Sequence, residues 1–457
     1  MTTTARVAPA LERRLGPLDA AALIVSNVIG GGILFTPPQI AASVPSALLF
    51  LSTWVVGGLL AFAGAMAYAE LAALRPRAGG EYVYLRAAFG TMAAFLTGWT
   101  SFVAGFSGAI ATSAVVFAFY LGRFVPAAGN TTPFLTLPIV PGWIELTCSP
   151  NTTVAIAGIF GMAWIHLRGV GPGRVVGDIL AGLKVTAFVL FLALGFAIGQ
   201  GEGSNLVQAA PVAPAVWLLA LIPVMFTYSG WNAASYVAEE VRDPGRNVPL
   251  ALAVGTGAVI AIYLLLNGLY LYVLPPSELA QVKGSVLDVM ADRLLGAAAG
   301  NTMGVVSIVS LLASISAMTF AGPRVYFAMA RDGLFFKRAA TIHPRYRTPA
   351  TSIIAQAVWS SLLVLSASAD TLVKYTGFAI VLFSGVAVVS LFVLRSKQPD
   401  AERPFRAWGY PVAPAIYAVA SALILINALV TDASTTGRGA LIIALGIPVY
   451  LLLRRRA

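Results

Sequence analysis

Three consecutive glycines stand in the middle of an apolar segment near the start of the chain, in the run Ile29-Gly30-Gly31-Gly32-Ile33. Each glycine costs a helix up to about 1 kcal/mol relative to alanine. We therefore expect the helix to open there and to expose free N–H groups on one side and free carbonyl oxygens on the other. Close helix packing is the other interpretation of such glycines, but three in succession exceed what a packing groove requires.

A second apolar segment reads Phe226-Thr-Tyr-Ser-Gly-Trp-Asn232, with Pro223 upstream. It too is a poor continuous helix. Unwound backbone inside a membrane persists only where protein or a watery cavity satisfies its polar groups, so both breaks should line one internal site. For Tyr228 and Trp231, core packing and a role at the site or its gate both remain open.

An opened helix offers what a zwitterion needs. Amides of Gly30–Gly32 can hold a carboxylate, while carbonyls around Ile29 and from Phe226 to Ser229 can take an ammonium. No Asp or Glu lies near either break in the sequence. The pattern therefore predicts a neutral amino acid.

Lys184 stands inside another apolar segment, where a charge costs on the order of 2.5–3.5 kcal/mol. Its side chain could extend to the cytoplasmic surface, or its ammonium could occupy an internal cation position between helices. Ser307, Ser310 and Ser314 share one helix face and could supply oxygens to such a position. Interhelical hydrogen bonding is the alternative for these serines.

The elements that carry these residues are membrane spans. Of the 457 residues 58% are apolar and only 10% are charged, whereas a soluble domain is about one quarter charged. The apolar blocks have the length that crosses a bilayer, and backbone satisfaction in lipid makes them helices. Twelve are predicted, at 18–41, 46–74, 93–122, 152–170, 177–199, 213–238, 249–274, 297–330, 351–368, 372–395, 411–430 and 437–453.

Charge placement predicts the orientation. Of the 29 Lys and Arg residues, only Arg123, Lys283, Arg293, Lys374 and Arg438 fall in loops on one side. Apart from Lys184 the others fall on the opposite side, including the tail Arg454–Arg456. The protein is therefore expected in the plasma membrane with both termini in the cytoplasm. This asymmetry explains the net charge of +11 without a nucleic acid.

The breaks occupy the first and sixth spans, which open successive five-helix halves. Interrupted helices at equivalent places in two halves indicate an inverted-repeat transporter with a midplane site. The predicted divisions are a cytoplasmic segment at 1–17, a first repeat at 18–199, a second repeat at 200–395, and two further helices with the C-terminus at 396–457.

Other classes of function fit poorly. A membrane enzyme needs a nucleophile with a base, paired acids or a metal cluster, and the chain has two His and a single Cys148. No metal site or cofactor is expected. No repeated carbonyl filter or charged ring favours a channel, while an amino acid sensor on a transporter fold remains an alternative.

An ordered series of motifs resembles the amino acid-polyamine-organocation superfamily and, within it, the L-type amino acid transporters. The series spans residue 15 to the end. It comprises Ile29-Gly-Gly-Gly-Ile33 with Thr36-Pro37, Ala69-Glu70-Leu71, Pro76-Arg-Ala-Gly-Gly-Glu-Tyr82, Phe226–Asn232, Glu239-Glu240, Pro244-Gly-Arg-Asn-Val-Pro249, Arg324-Val-Tyr-Phe327, Ala330-Arg-Asp-Gly333, Tyr375-Thr-Gly377 and Arg403-Pro-Phe405.

The resemblance implies an all-α membrane protein of twelve helices, with a leucine-transporter-like 5+5 inverted repeat and two peripheral helices. It implies substrate contacts at Val28, Gly30, Gly31 and Gly32 and at Phe226, Thr227, Ser229 and Asn232, to which Ile29 and Gly230 add by position. Phe226 matches the family's aromatic gate, and Trp231 lies beside it. Lys184 matches a lysine that stands in for sodium, which implies sodium-independent exchange; a titrating lysine would instead give proton-coupled symport.

Eukaryotic members of this family pair by disulfide with a heavy chain. Cys148 lies in the corresponding loop, but its surroundings differ from the usual pattern, so no heavy-chain subunit is expected. We expect a stand-alone prokaryotic protein of the bacterial inner membrane whose partners are the amino acid and membrane lipid.

Overall fold

The twelve predicted spans each coincide with a helix or a broken helix pair. A computed structural model describes residues 11–140, 144–198, 201–296, 299–366, 369–431 and 433–454. Residues 1–10 of the predicted N-terminal segment, Arg455 and Arg456 of the tail, and the 199–200 boundary between the predicted repeats lie outside the described residues. So do the side chains of Lys374, Tyr375, Thr376 and Arg438.

The helices follow one another in this order: α1 Pro17–Val28, α2 Gly31–Ser43, α3 Ala47–Leu74, α4 Glu81–Phe89, α5 Thr91–Thr100, α6 Phe106–Leu121, α7 Pro126–Gly129, α8 Pro150–Leu167, α9 Val170–Ile198, α10 Pro214–Tyr228, α11 Ala233–Tyr236, α12 Pro244–Val273, α13 Pro276–Leu279, α14 Val286–Leu295, α15 Ala299–Arg331, α16 Ala350–Ser366, α17 Ala369–Lys397, α18 Val412–Thr431 and α19 Ala433–Arg454. A π-helical turn, Ser101–Gly105, joins α5 to α6, and 3₁₀ turns occupy Gly203–Val207, Ala238–Glu240 and Lys337–Ala340.

Among the described residues, seven helices are long and apolar enough to cross a membrane, and the bent pair α1–α2 makes an eighth. Three shorter apolar helices, in α10, α16 and α19, occupy further predicted spans, and the 18-residue α8 occupies the remaining one. The prediction of an all-helical membrane protein is confirmed. One small addition is a hairpin between α7 and α8, where β1 (Leu135–Val140) pairs antiparallel with β2 (Ile144–Cys148).

Small residues let the helices approach closely around the first and sixth spans. A Cβ on Gly57 of α3 would lie 2.5 Å from Val224 of α10, and one on Gly58 would lie 3.1 Å from Ile260 of α12. Such contacts are typical of helix packing in membranes, where backbones approach through glycine. Gly57 and Gly58 therefore serve close helix packing.

Ion pairs with buried members join helices of the bundle to neighbouring segments. Arg324 of α15, assigned above to the inner side by the charge pattern, is fully buried and pairs with Glu240 at 2.7 Å. Glu70 of α3 is likewise buried and pairs with Arg395 at 2.6 Å and Arg403 at 3.2 Å. Because a buried charge that loses its partner is strongly destabilising, these pairs fix α15 and α17 against the segments that they contact.

Candidate functional site

The first break separates α1 from α2. Helix α1 ends at Val28, helix α2 begins at Gly31, and the two are bent by 48°. Ile29 is extended, with φ −76° and ψ 93°, and Gly30 lies outside the helical region at φ −138° and ψ −145°. The break therefore leaves carbonyls at the end of α1 and N–H groups at the start of α2 without partners in their own helix.

Side chains from three other helices meet the carbonyls of this break. The ammonium of Lys184 on α9 donates to the carbonyl oxygens of Ser26, at 3.2 Å, and Ile29. The Ser314 hydroxyl on α15 lies 2.9 Å from the same Ser26 oxygen. From α12, the Tyr263 hydroxyl donates to the Val28 carbonyl at 3.0 Å. The carbonyl side of the break is thus already occupied by donors.

Lys184 is fully buried. Its side chain therefore lies in the internal position between α9 and α1 and does not reach the cytoplasmic surface. Ser310 contributes its backbone carbonyl, which accepts from Ser314 at 3.1 Å. The Ser307 and Ser310 hydroxyls are buried and meet no hydrogen-bond partner within the described part of the chain, so only Ser314 of the three serines is joined to the Lys184 cluster.

The second break lies beside the first. Helix α10 ends at Tyr228, and Gly230 then takes φ +102°, a conformation that favours glycine. A Cβ at Gly230 would lie 2.7 Å from the Asn27 amide, which itself donates to the Gly230 carbonyl at 3.1 Å. Gly32 of the first break also lies close to α10, since its Cβ would lie 3.1 Å from Thr227. The two breaks therefore meet directly, as the sequence predicts.

A cavity of about 100 Å³ opens next to the paired breaks. From the predicted set it contains Ser229, Gly230 and Asn232. The other lining residues are Asn27, Glu81, Thr100, Ser101, Gly105, Phe106, Ala109, Tyr236, Met318, Ala379, Ile380 and Phe383. The π turn between α5 and α6 supplies part of this wall, in keeping with the frequent occurrence of such bulges at functional sites.

The remaining predicted residues are not among those that line this cavity. Open space adjoins Gly31, because a Cβ there would meet no atom within 4 Å. Phe226 packs against Gly377 of α17, whose Cβ would lie 3.2 Å from the ring. Thr227 is buried, with its hydroxyl 2.9 Å from that of Thr36. Trp231 points elsewhere: its ring packs edge-on against Tyr68, with centroids 4.9 Å apart, in the core beside α3.

An acidic side chain lies at this site, contrary to the expectation that none stands near either break. Glu81 begins α4, lines the cavity, and accepts hydrogen bonds from the Asn232 amide at 2.7 Å and the Tyr68 hydroxyl at 2.6 Å. Burial raises the pKa of Glu81 above its ordinary value, although hydrogen bonds from Tyr68, Tyr236 and Asn232 oppose that shift. Sequence proximity could not reveal this contact, because Glu81 and Asn232 are 151 positions apart.

The approach of Glu81 depends on the glycine pair that precedes it. Gly79 and Gly80 have φ values of +116° and +52°, and a Cβ on Gly80 would lie 2.6 Å from the Tyr236 ring. The loop between α3 and α4 can therefore fold back against α11. An acid directly after two glycines was the one sequence signal that could have placed it in the site.

The family profile for amino acid permeases matches residues 15–453, nearly the whole chain. The chain belongs to the amino acid permease family. It is 30% identical over 454 residues to the mouse protein named large neutral amino acids transporter small subunit 2, which covers 97% of this chain and 81% of that protein. It is 28% identical to the mouse Asc-type amino acid transporter 1, with the same two coverages.

A third relative extends the group. The rabbit b(0,+)-type amino acid transporter 1 is 28% identical over 87% of this chain and 79% of its own length. The resemblance to L-type transporters is therefore confirmed, and with it the assignment to multi-pass membrane transporters and not to enzymes. Within the described residues, no group of three or more His, Cys, Asp or Glu side chains could hold a metal ion.

Proposed function

We propose that this permease exchanges neutral L-amino acids across the membrane by alternating access, independently of sodium. The observation that carries the proposal is the meeting of two broken helices around a cavity, with a buried ammonium on the carbonyls of the first break. Broken helices whose half-helix ends face one cavity are typical of secondary transporters. The name of the mouse relative supports the neutral class of substrate.

The substrate carboxylate is assigned to the N–H groups at the start of α2, from Gly30 to Gly32. These amides lie at a helix N-terminus, which favours an anion, and the open space at Gly31 gives access to them. The carbonyl oxygens of Val28 and Ile29 already accept from Tyr263 and Lys184. Of the predicted carbonyls on the α10 side, that of Phe226 accepts from the Ser229 N–H and that of Thr227 from the Tyr263 hydroxyl. We therefore assign the substrate ammonium to the carbonyls of Tyr228 and Ser229.

The remaining predicted residues take supporting roles in this proposal. Ser229, Gly230 and Asn232 line the cavity wall on which the substrate side chain would lie. Phe226 is proposed as the gate, because its ring closes against α17 at Gly377. Trp231 supports the second break through its packing against α3, and we do not propose it as a gate.

Lys184 is proposed as a fixed cation in place of sodium, with Ser314 on the same carbonyl and Ser310 behind it. Its ammonium joins α9 to α1 across the break, so it would hold the geometry that presents the Gly30–Gly32 amides. A sodium ion would need that same carbonyl position. Transport should therefore be indifferent to sodium.

Purified permease in liposomes tests the proposal. Labelled amino acid is placed outside, and either unlabelled amino acid or buffer is placed inside. Strong stimulation by internal amino acid, without dependence on sodium or on a proton gradient, is expected. Uptake into buffer-filled vesicles driven by an inward proton gradient would establish proton-coupled symport instead, and binding without flux would establish a sensor. Thermal stabilisation measured with each of the twenty amino acids would identify the preferred substrate.

We also propose that the permease works alone in the inner membrane of a bacterium, with both termini in the cytoplasm. The charge asymmetry of the loops supports this orientation, and the sequence around Cys148, which differs from the pattern of family members that pair by disulfide, supports the absence of a heavy chain. Glu145 is exposed in the same hairpin as Cys148. In a Cys148→Ser background, Glu145→Cys should react with a membrane-impermeant maleimide added to intact cells; protection until the cells are lysed would reverse the orientation.

A further inference from the structure

A second cavity lies at one end of the bundle, away from the paired breaks. It measures about 90 Å³, and its walls come from three separate parts of the chain. These are the segment before α1, the short connection between α8 and α9, and the connection between α15 and α16. The charged residues that line it are Glu12, Arg14, Arg168, Arg345 and Arg347. We name it the arginine pocket.

The arginine pocket holds four guanidinium groups and one carboxylate. Glu12 lies 2.6 Å from Arg14 and 3.6 Å from Arg347. In the described part of the chain, no acidic side chain forms an ion pair with Arg168 or Arg345; each of them instead lies over an aromatic ring. The four guanidinium groups of the pocket therefore face one carboxylate, that of Glu12.

The backbone adds to this positive field. Helix α9 is 29 residues long and begins at Val170 on the pocket wall, so its first N–H groups lack acceptors within the helix. An Arg14 guanidinium nitrogen lies 3.9 Å from the position of a Cβ on Gly171. Apart from Glu12, the charged side chains of the pocket are all guanidinium donors, and the start of α9 adds the N–H groups of Val170 and Gly171, an arrangement that favours phosphate groups.

The position of Arg168 indicates where the anion comes from. Its guanidinium lies 4.1 Å from the centre of the Trp164 ring, and Trp164 is 56% exposed in the last turns of α8. An exposed tryptophan near the end of a membrane helix is typical of the headgroup level of a bilayer. A phosphate in the pocket would therefore lie where phospholipid headgroups lie.

We propose that the arginine pocket is a binding site for the phosphate of an anionic phospholipid. Arg168 and Arg345 bind the phosphate, and Arg14 and Arg347 join them when the headgroup displaces the Glu12 carboxylate. This site is separate from the proposed amino acid site and does not depend on the substrate assigned to it. The N–H of Arg14 donates to the Glu240 carbonyl at 2.9 Å, so the segment before α1 that forms one wall of the pocket is bonded to the 3₁₀ turn after α11.

Thermal unfolding of the purified full-length permease in detergent tests the site. Phosphatidylglycerol is titrated against phosphatidylcholine, glycerol phosphate and inorganic phosphate. Phosphatidylglycerol should raise the melting temperature in a saturable way, and the other three should not. Equal stabilisation by inorganic phosphate or glycerol phosphate would overturn the lipid assignment, and no effect of phosphatidylglycerol would overturn the site.

Charge-matched variants separate the pocket from the general positive charge of this face. Arg168→Gln with Arg345→Gln should weaken phosphatidylglycerol binding about tenfold or more, because it removes two charge-assisted contacts to the phosphate. Lys337→Gln with Arg338→Gln removes the same charge from exposed positions and should leave the affinity unchanged. Equal losses in both pairs would overturn a defined pocket.

A gain of affinity provides the sharper test. Glu12→Gln removes the internal competitor while leaving all four arginines, so phosphatidylglycerol should bind several-fold more tightly than to the wild type. A poorly folded variant could not produce such a gain. Unchanged or weaker binding in Glu12→Gln would show that the Glu12 carboxylate does not occupy the phosphate position.

Discussion

The two helix breaks of this permease meet beside one cavity but differ in the groups that satisfy their carbonyls. At the first break the carbonyls of Ser26, Val28 and Ile29 accept from side chains on α9, α12 and α15. At the second break the Ser229 N–H donates to the Phe226 carbonyl at 3.0 Å, while the Thr227 and Gly230 carbonyls accept from Tyr263 and Asn27. The first break is therefore held by a lysine and two hydroxyl groups from other helices, and the second by its own backbone together with neutral side chains of α1 and α12.

The two breaks also contact side chains of opposite charge. A buried cation, Lys184, contacts the first break, whereas a buried carboxylate, Glu81, contacts the second through Asn232. On its far side, the first break is followed by the N-terminus of α2, whose free N–H groups attract an anion. A fixed ammonium on the neighbouring carbonyls leaves those amides as the free half of the break, which is why we assign the substrate carboxylate there.

Removing the cation from the first break should produce the largest effect. Lys184→Ala leaves the Ile29 carbonyl with one weaker donor, and unsatisfied buried acceptors cost about 1–3 kcal/mol each. We expect exchange in proteoliposomes to fall by about a hundredfold or more, since 1.4 kcal/mol corresponds to a factor of ten.

Ser314→Ala provides the matched comparison for Lys184→Ala. It removes a neutral donor from the same Ser26 carbonyl and should reduce exchange much less. Melting temperature and monodispersity in detergent would show that both variants fold. Normal flux in Lys184→Ala would remove the lysine from the transport cycle and leave the difference between the breaks as one of packing alone.

Filling the space at the first break should have the next largest effect. A Cβ at Gly31 meets no atom within 4 Å, so Gly31→Ala should fold normally and retain exchange, while Gly31→Leu should fill the carboxylate position and abolish uptake. Gly182→Leu is the control, because Gly182 is exposed on α9 and also adjoins open space. Uptake by Gly31→Leu with unchanged affinity would be incompatible with a carboxylate at these amides.

Much of this arrangement could be predicted from the sequence because it is encoded locally. The triple glycine Gly30–Gly32 and Gly230 both disfavour a continuous helix, and the two breaks lie at these residues. Pro223 lies inside α10, which continues through it to Tyr228. Tyr263 was missed because it lies in an ordinary apolar stretch of α12 and acquires its role only by reaching Val28, 235 positions away. The π turn Ser101–Gly105 was missed for a related reason, since nothing in its composition distinguishes it from the helix around it.

At the second break, Phe226 tests whether the α10 side closes the site. The ring lies against Gly377, so Phe226→Ala should slow translocation several-fold and weaken binding less, as expected of a gating residue. Exchange rates and substrate-induced thermal shifts measure the two quantities separately. Phe119→Ala removes a ring of the same size from an exposed position, 60% accessible, and serves as the control. A Phe226→Ala variant that matches wild type in both measurements would make Phe226 a packing residue.

The smallest expected effect concerns the anion at the second break and is a dependence of stability on pH. Burial raises the pKa of Glu81 when the protein folds, so the folded state takes up a proton at a higher pH than the unfolded state does. The contribution of this carboxyl to the free energy of unfolding is therefore greatest at low pH and is lost as pH rises through the folded-state pKa.

Glu81→Gln is neutral at every pH and should remove this dependence. Its melting temperature relative to wild type should therefore rise between acidic and neutral pH. Glu145→Gln, at an exposed position of β2, should show no such trend. Parallel curves for wild type and Glu81→Gln would mean that the hydrogen bonds from Tyr68 and Asn232 fully offset the cost of burying the carboxylate, and the second break would then carry a structural anion that does not respond to pH.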